Sequence, residues 1–304
     1  MSAGNDRDPL GPARSSVLII GGGVVGVATG RGLRSRGFET SFVDTSRERI
    51  AQLRDEGFAA YEPAQIAEVE PDFYLLSVPT PTTAGRIDLG PLRAASETVA
   101  NALALRDDWA CVVVRSTVPP GTTDDVVGPI LEQHCGREAH RSFGLAMNPE
   151  FLRAASANED FDDPRVIIFG SRDDASEKAM RILYEPWSYV PIIAMTNREA
   201  EAAKYTSNLF NAAKISFFNE LHQTFSALGI DSSVAFNAVV NGAEGLWNPA
   251  YGTRGGAPYG GACLPKDSAA FLTFATDQGL DLPLLSAVIE TNIRLGGESL
   301  GGSE

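Results

Sequence analysis

Cys263 has the most reactive side chain among the residues whose setting suggests chemistry. It lies in the segment GGACLPKD, residues 260–267, directly before an apolar helical run over residues 268–276. Pro265 is typical of a first helical turn, and the positive end of a helix and the adjacent Lys266 both favour a thiolate. Cys263 is therefore a candidate nucleophile, and a buried structural cysteine is an equally common alternative.

A glycine-rich turn near the start of the chain has the spacing of a phosphate-binding loop. The segment GGGVVG, residues 21–26, fits the pattern G-x-G-x-x-G between a short apolar strand and a helix. Gly21 permits the tight turn, Gly23 lets the backbone approach a pyrophosphate, and Gly26 lets the helix pack on the strand. The positive end of the helix then faces the phosphates, which predicts a dinucleotide site.

Asp44 strengthens this prediction and indicates which dinucleotide binds. It ends the second predicted strand, 18 residues after Gly26, where a carboxylate accepts a hydrogen bond from an adenosine ribose. A carboxylate at this place repels a 2′-phosphate, so it favours NAD over NADP. Arg47 and Arg49 lie close by in sequence and leave NADP open.

Three further segments carry polar residues that could act in a site. Lys204 and Asn208 are four residues apart on a predicted helix, so they share one face. They could stabilise an oxyanion, although a solvated helix face is the more frequent outcome for this spacing. The segments 116–121 and 148–151 follow predicted strands, at the sheet edge where ligands of open α/β sheets bind.

The elements that would position these residues alternate between strand and helix. Short apolar runs and helical periodicities follow one another from Val17 to about Ile193, which predicts right-handed crossovers and a doubly wound sheet. After residue 195 the periodicity is helical, with a long stretch from Asn197 to about Leu228. The fold class predicted is α/β, with a Rossmann-like doubly wound parallel sheet followed by a mainly α-helical domain.

The predicted organisation has four parts. A flexible segment over residues 1–16 precedes an NAD-binding domain over residues 17–195. A helical substrate and dimerisation domain follows over residues 196–296, and a frayed tail occupies residues 297–304. Because boundaries are the weakest part of a sequence prediction, the division near residue 195 is placed only to within several residues.

Composition limits the class of protein. The 304 residues carry a net charge of −14, which argues against an extended nucleic-acid or anionic-membrane surface. The sequence shows neither a secretory signal nor a membrane-spanning run, so it predicts a cytoplasmic location. The three cysteines and three histidines have no metal spacing, so no metal site is expected; they are Cys111, Cys135, Cys263, His134, His140 and His222.

Six motifs in order along the chain resemble the UDP-glucose/GDP-mannose dehydrogenases, which oxidise a sugar-nucleotide primary alcohol to a carboxylate with two NAD. They are GGGVVG with Asp44, SVPTPT (77–82), STVPPGTT (116–123), NPEFLR (148–153), KYTSN (204–208) and GGACLPKD (260–267). The resemblance covers roughly residues 17–295, and its last motif is far more specific than its first.

The resemblance implies a role for each matching residue. Cys263 would trap the aldehyde as a thiohemiacetal and carry the later thioester, while Lys204 and Asn208 would stabilise oxyanions. Asp267 would assist base chemistry, and Thr117 and Glu150 would position or activate water. The residues expected to hold NAD are Gly21, Gly23, Val24, Val25, Gly26, Asp44, Arg49, Thr80, Ser116 and Val118. Those expected at the substrate are Phe151, Leu152, Arg254, Tyr259 and Gly260.

The sequence departs from the family pattern in three places. The family continues into a further nucleotide-sugar-binding domain that this sequence does not include, so a partner subunit or a different substrate is expected. Ala154 stands where the family has a second glutamate. Leu246-Trp247-Asn248 replaces an Arg-Ile-Gly sequence whose arginine reaches across a dimer interface, which indicates altered substrate recognition.

The leading functional prediction is an NAD-dependent dehydrogenase that oxidises a primary alcohol to a carboxylate through a Cys263 thioester. Its expected substrate is a UDP-sugar or a related nucleotide or nucleoside. A two-electron enzyme like the β-hydroxyacid dehydrogenases is the first alternative, since a lysine-asparagine pair with this spacing serves them without a cysteine. A non-catalytic NAD-binding remnant is the second. The resemblance also implies a homodimer, and the long helix agrees with it because it carries an apolar face formed by Leu209, Phe210, Ala213, Phe217 and Leu221.

Overall fold

The computed structural model describes residues 15–136 and 143–297. Of the predicted N-terminal segment, residues 1–16, the structure describes only residues 15 and 16. Of the predicted tail, residues 297–304, it describes only residue 297, and His140 also lies outside the described residues. The described residues divide into two units, the first ending at Ser207 and the second beginning at Asn208. This division falls inside the long helix, whereas the predicted domain boundary near residue 195 precedes that helix.

Within the described residues, eight strands of the first unit form one sheet. They are β1 Ser16–Ile20, β2 Glu39–Val43, β3 Ala59–Tyr61, β4 Phe73–Leu76, β7 Ala110–Val114, β8 Phe143–Met147, β9 Ile167–Ser171 and β10 Ile192–Met195, and a separate hairpin comprises β5 Thr82–Thr83 and β6 Arg86–Ile87. The strand order in the sheet is β10-β9-β8-β7-β4-β1-β2-β3. The order reverses at β1, which pairs in parallel with both β2 and β4.

The central strands are apolar throughout because both faces of the sheet are covered. Val17 and Ile19 of β1 pack into one buried cluster that includes Trp187. Leu18 and Ile20 point the other way, into a second cluster that includes residues of β4 and β7. Alternate residues of one strand therefore serve opposite cores, as parallel strands between two helical layers require.

The helices confirm the predicted alternation, and the Rossmann-like fold class is confirmed with them. In the first unit they are α1 Val24–Ser35, α2 Arg47–Asp55, α3 Gly90–Ala104, α4 Gly128–Cys135, α5 Ala157–Asp162 and α6 Asp174–Leu183. The direction of one strand differs from the prediction. Strand β9 runs antiparallel to β8, whereas a parallel sheet was predicted. The segment Thr123–Val127, directly before α4, is π-helical.

The second unit is helical, as expected. Its elements are the later part of α7 Asn197–Ala227, which begins in the first unit, and α8 Ser232–Val240, α9 Glu244–Trp247, α10 Leu264–Asp277 and α11 Pro283–Arg294. Edge-to-face ring contacts join Phe218 of α7 to Phe236 of α8, and Phe225 of α7 to Phe271 of α10. Glu220 accepts hydrogen bonds from the backbone N–H groups of Leu284 (2.7 Å) and Leu285 (3.0 Å) and so caps α11.

Across residues 15–136 and 143–297, no helix combines the length and apolar character needed to cross a bilayer.

Candidate active site

A cleft of about 990 Å³ opens at the carboxyl ends of the central strands. The segments after β1, β2, β4 and β7 line it, together with one side of α3 and Glu150, which follows β8. The crevice lies where the strand order reverses, the place where open α/β sheets bind their ligands. The lining residues that matter below are Gly21, Gly23, Val24, Val25, Asp44, Arg49, Thr80, Ser116, Thr117 and Glu150.

The glycine turn is shaped as its sequence predicts. Gly21 has φ +106°, and a Cβ there would lie 2.3 Å from the carbonyl oxygen of Ser77. A Cβ on Gly26 would lie 2.1 Å from the carbonyl oxygen of Gly21. By contrast, a Cβ on Gly23 would have nothing within 4 Å, so the backbone of Gly23 borders open space. Two glycines thus serve close packing, and the third leaves the turn accessible.

Asp44 also has a structural role, which could not be predicted from its position in the sequence. Its Oδ2 accepts a hydrogen bond from the Gly22 N–H (2.7 Å), and its Oδ1 accepts one from the Ser46 N–H (2.8 Å). Arg49 donates from Nε to the carbonyl oxygen of Gly22 and from Nη1 to Gln52 (2.8 Å). Asp44 and Arg49 therefore hold the glycine turn from the side, and both still line the cleft.

These residues fit a dinucleotide. Helix α1 begins at Val24 with no side-chain cap and no acidic residue in its first turn, so its positive end is free to meet an anion. A carboxylate oxygen has lone pairs beyond those used by one backbone N–H, so Asp44 retains acceptor capacity for a ribose hydroxyl. The cleft is also large enough for an extended cofactor.

Two loops of the cleft are tied to each other. Thr80, after β4, donates its hydroxyl to the carbonyl oxygen of Thr117 (2.8 Å), and Ser116 donates its hydroxyl to the carbonyl oxygen of Val78 (2.6 Å). Thr80, Ser116 and Thr117 line the cleft. Val118 does not: its side chain is fully buried in the core, so it supports the loop from below.

Lys204 is buried, whereas its helical spacing alone favoured a solvent-exposed helix face. Only 5% of the residue is exposed, and its Nζ lies 2.9 Å from Glu150 Oε1. Nζ also donates to the backbone carbonyl oxygen of Glu150 and lies 5.4 Å from the centre of the Phe151 ring. Glu150 Oε2 accepts a hydrogen bond from the Leu152 N–H (2.7 Å). The structure therefore brings two predicted catalytic residues together at the cleft.

A buried network beneath Glu150 was not predicted. Asn148 accepts hydrogen bonds at Oδ1 from Arg115 and from the Tyr184 hydroxyl, and its Nδ2 donates to the carbonyl oxygen of Ile168 (2.8 Å). Asn148 is 2% exposed, so its amide is locked two residues before Glu150. An asparagine at the end of an apolar strand was the available signal, because a buried amide needs several partners.

Cys263 lies in the second unit, exposed at the start of α10. Cys263 occupies the N-cap position, and Pro265 lies in the first turn. The carbonyl oxygen of Cys263 accepts a hydrogen bond from the Asp267 N–H (2.8 Å). Lys266 forms an ion pair with Asp267, and that hydrogen bond raises the pKa of Lys266. The helix start is as predicted, while the charge of Lys266 is shared with a neighbouring carboxylate.

The remaining predicted substrate residues of the second unit lie in the loop before Cys263. Arg254 and Gly260 are exposed, and Tyr259 is partly buried. Asn292 of α11 accepts a hydrogen bond from the Tyr259 N–H (2.7 Å) and donates to its carbonyl oxygen (3.2 Å). Asn292 is itself buried and was not predicted. Asn208 is exposed on α7, one turn after Lys204.

Comparison with known proteins shows which family the chain belongs to. Residues 65–188 match the NAD binding domain of the UDP-glucose/GDP-mannose dehydrogenase family, and residues 198–294 match the central domain of the same family. The UDP-glucose 6-dehydrogenase AglM of Haloferax volcanii is 33% identical over 297 residues, covering 90% of this chain and 68% of AglM. The chain belongs to the UDP-glucose/GDP-mannose dehydrogenase family.

Solved structures agree with this assignment. The ternary complex of GDP-mannose dehydrogenase from Pseudomonas aeruginosa is 30% identical and superposes with a TM-score of 0.85, covering 92% of this chain and 68% of that one. The UDP-glucose dehydrogenase of Pyrobaculum islandicum is 31% identical with a TM-score of 0.71, covering 93% and 69%. This family member is thus an NAD-dependent oxidoreductase, and NAD is its cofactor.

The described residues contain no cluster of three histidine, cysteine or carboxylate side chains able to hold a metal ion.

Replacing Asp44 by alanine tests the ribose contact. We expect Asp44→Ala to weaken NAD binding about tenfold, the effect of losing one hydrogen bond to a charged group, and to bring the affinities for NAD and NADP closer together. Titrations with NAD and NADP followed by protein fluorescence measure both affinities. Asp88→Ala is the matched control, because Asp88 accepts a similar backbone hydrogen bond from Gly90 outside the cleft lining. An unaltered preference for NAD in Asp44→Ala would show that this carboxylate does not contact the ribose.

Proposed function

We propose that this dehydrogenase oxidises the primary alcohol of a nucleotide sugar to a carboxylate in two successive oxidations, with Cys263 as the covalent nucleophile. The observation that carries the proposal is the exposed thiol at the N-cap of α10. It is preceded by Gly260 and Gly261, where added Cβ atoms would meet nothing within 4 Å. The alternative of a cysteine buried in the core does not apply to this residue.

The proposed reaction has four stages whose atoms and electrons balance. The alcohol first loses a hydride and a proton to become an aldehyde. The Cys263 sulfur then forms a C–S bond with the aldehyde carbon as its S–H bond and the carbonyl π bond break. The carbonyl oxygen takes up the proton that the thiol loses, which gives a thiohemiacetal. Loss of a second hydride and a proton gives a thioester, and water cleaves its C–S bond to release the acid and the thiol. NAD supplies the hydride acceptor, so two NAD are reduced for each acid formed.

Lys204 and Glu150 have complementary parts in this proposal. The buried Lys204 ammonium provides a positive charge for the oxyanion that develops at the substrate oxygen, with the Asn208 amide as a second donor. Glu150 is the acceptor for a water proton during thioester hydrolysis, and Thr117 helps to orient that water. The 2.9 Å ion pair between Lys204 and Glu150 keeps both charges in place in a largely buried setting. Asp267 assists proton transfer at the thiol.

A nucleotide sugar is the proposed substrate because relatives named UDP-glucose 6-dehydrogenase and GDP-mannose 6-dehydrogenase align with 90% and 91% of this chain. The residues proposed to contact it are Phe151, Leu152, Arg254, Tyr259 and Gly260. Arg254 supplies an exposed cation for a phosphate group. A cytoplasmic location belongs to the same proposal, because the proposed reaction draws on NAD.

The test is a panel of UDP-sugars, GDP-sugars, nucleosides and free sugars incubated with the enzyme and NAD. We expect NADH formation with a nucleotide sugar, little with the corresponding free sugar, and a product with the mass of the acid. A stable aldehyde or ketone product would instead support a two-electron enzyme. Binding of NAD without turnover on any alcohol would support a non-catalytic protein.

A homodimer is part of the proposed function. The face of α7 formed by Leu209, Phe210 and Phe217 exposes large apolar side chains: Leu209 is 64% exposed, Phe210 61% and Phe217 43%. Large exposed apolar side chains that share one face are typical of an interaction site. We therefore expect light scattering to give a mass about twice 32.3 kDa, and Phe210→Lys to shift the protein toward monomer. A wild-type monomer at micromolar concentration would contradict the dimer.

A further inference from the structure

The turn over residues 119–123 leaves two backbone donors that its own residues do not satisfy. Pro119 and Pro120 have no N–H, and the Thr122 N–H donates to the Pro119 carbonyl oxygen (3.1 Å). The N–H groups of Gly121 and Thr123 remain, at the entrance to the π-helical segment. Buried donors of this kind need an acceptor from elsewhere in the protein.

Glu201 of α7 supplies that acceptor with both of its oxygens. Its Oε2 accepts from the Gly121 N–H, and its Oε1 accepts from the Thr123 N–H at 2.7 Å. The residue is completely buried, and no cation lies within ion-pair distance of it among the described residues. Burial raises the pKa of Glu201 above the ordinary value for a glutamate. A buried carboxylate without a cation is costly, and the two backbone hydrogen bonds that Glu201 accepts offset this cost.

The same turn of α7 holds a second loop of the cleft. Lys204, three residues after Glu201, binds both the carboxylate and the backbone carbonyl oxygen of Glu150. Residues three apart on a helix lie on the same side of it. Glu201 therefore fixes the loop that contains Thr117, and Lys204 fixes the loop that contains Glu150. Since a helix is rigid over one turn, these two attachments fix the separation of the two loops.

We propose that Glu201 is a positioning residue, which acts through the 119–123 turn to place Thr117 opposite the Glu150–Lys204 pair. Glu201 itself does not line the cleft, so it acts on Thr117 through the backbone. The inference rests on the proposed function, because it assigns Thr117 and Glu150 to the reaction. It adds a buried carboxylate outside the cleft lining, on which the geometry of the reacting groups depends.

The test compares Glu201→Gln with Glu199→Gln. Glutamine offers one carbonyl oxygen, so it satisfies one of the two backbone donors and turns an NH₂ group toward the other. Glu199 lies on the same helix and accepts from the Thr196 N–H (2.8 Å) and hydroxyl (2.7 Å), but it is exposed and contacts neither loop. Each variant is assayed well below its melting temperature for kcat, KM, NAD affinity, and hydrogen exchange of peptides covering residues 115–123.

We expect Glu201→Gln to lower kcat about tenfold with KM and NAD affinity within twofold of wild type, and to speed exchange in residues 115–123 at least tenfold. Glu199→Gln should match wild type in all four measurements. Equal kcat in the two variants, or unaltered exchange in residues 115–123, would overturn the proposal. Should Glu201→Gln not fold, Glu201→Asp serves instead: it keeps the charge but is too short to reach both donors, and a threefold or greater loss of kcat is expected.

The exchange measurement also separates this inference from the proposed function. It needs no substrate, so it reports on the 119–123 turn even where the wild-type enzyme fails to oxidise any nucleotide sugar. If exchange in residues 115–123 is faster in Glu201→Gln but the wild-type enzyme oxidises no nucleotide sugar, the proposed function alone is contradicted. If the wild-type enzyme is active but exchange in Glu201→Gln equals that of wild type, the role of Glu201 alone is contradicted.

Discussion

Cys263→Ser is expected to lose acid formation by a factor on the order of 10³ or more, the scale seen when a covalent nucleophile is removed. A serine hydroxyl is a far weaker nucleophile than a thiolate, so the aldehyde is not captured for the second oxidation. NAD affinity should stay within twofold of wild type, because the residues that line the dinucleotide cleft all precede residue 151. Product mass spectrometry and an NAD titration measure the two effects.

Cys135→Ala provides the matched control for this substitution. Cys135 ends α4 and is 7% exposed, so its removal deletes a thiol from the first unit without touching Cys263. This variant should produce acid at the wild-type rate and lose a small amount of stability. Normal acid production by Cys263→Ser would reject the covalent mechanism.

Lys204→Met is expected to lower kcat by about 10²- to 10³-fold, the range measured when one donor to an oxyanion is lost. Methionine fills similar space but removes the charge that the buried Lys204 ammonium supplies. The substitution also leaves Glu150 without its cation, and breaking a buried ion pair from one side costs roughly 3–5 kcal/mol of stability. A lower melting temperature should therefore accompany the loss of kcat, and calorimetry measures it.

The control for charge and helix position is Lys214→Met. Lys214 lies on the same helix, is exposed, and forms no ion pair among the residues that the structure describes. This variant should retain both kcat and melting temperature. A Lys204→Met enzyme with normal kcat at a temperature where it remains folded would remove Lys204 from the reaction.

The central alternation of strand and helix could be predicted because the main elements of the first unit have local signals, whereas β3, the β5–β6 hairpin, α5 and α6 were not predicted. The glycine turn is the clearest case: Gly21 needs a positive φ, and at Gly26 a Cβ would collide with backbone. The direction of β9 could not be predicted, since an apolar run has the same composition whether it pairs parallel or antiparallel to β8. The π-helical segment could not be predicted from local sequence either, and its Thr123 N–H donates to Glu201, a partner 78 residues away in sequence.

The candidate site shows where sequence reasoning stops. The positions of Gly21, Asp44 and Thr117 follow from motifs at strand ends, where topology places ligands. The burial of Lys204 does not, because helical spacing indicates which residues share a face but not what packs against that face. The hydrogen-bond partners of Asn148 and Glu201 could not be predicted for the same reason, since those partners lie on other elements.

The number of NADH molecules formed per molecule of limiting nucleotide sugar tests the covalent mechanism without any substitution. A Cys263 thioester requires two oxidations on one substrate, so we expect two NADH and one equivalent of acid for each sugar consumed. One NADH per sugar, with a carbonyl product that persists, would contradict this mechanism.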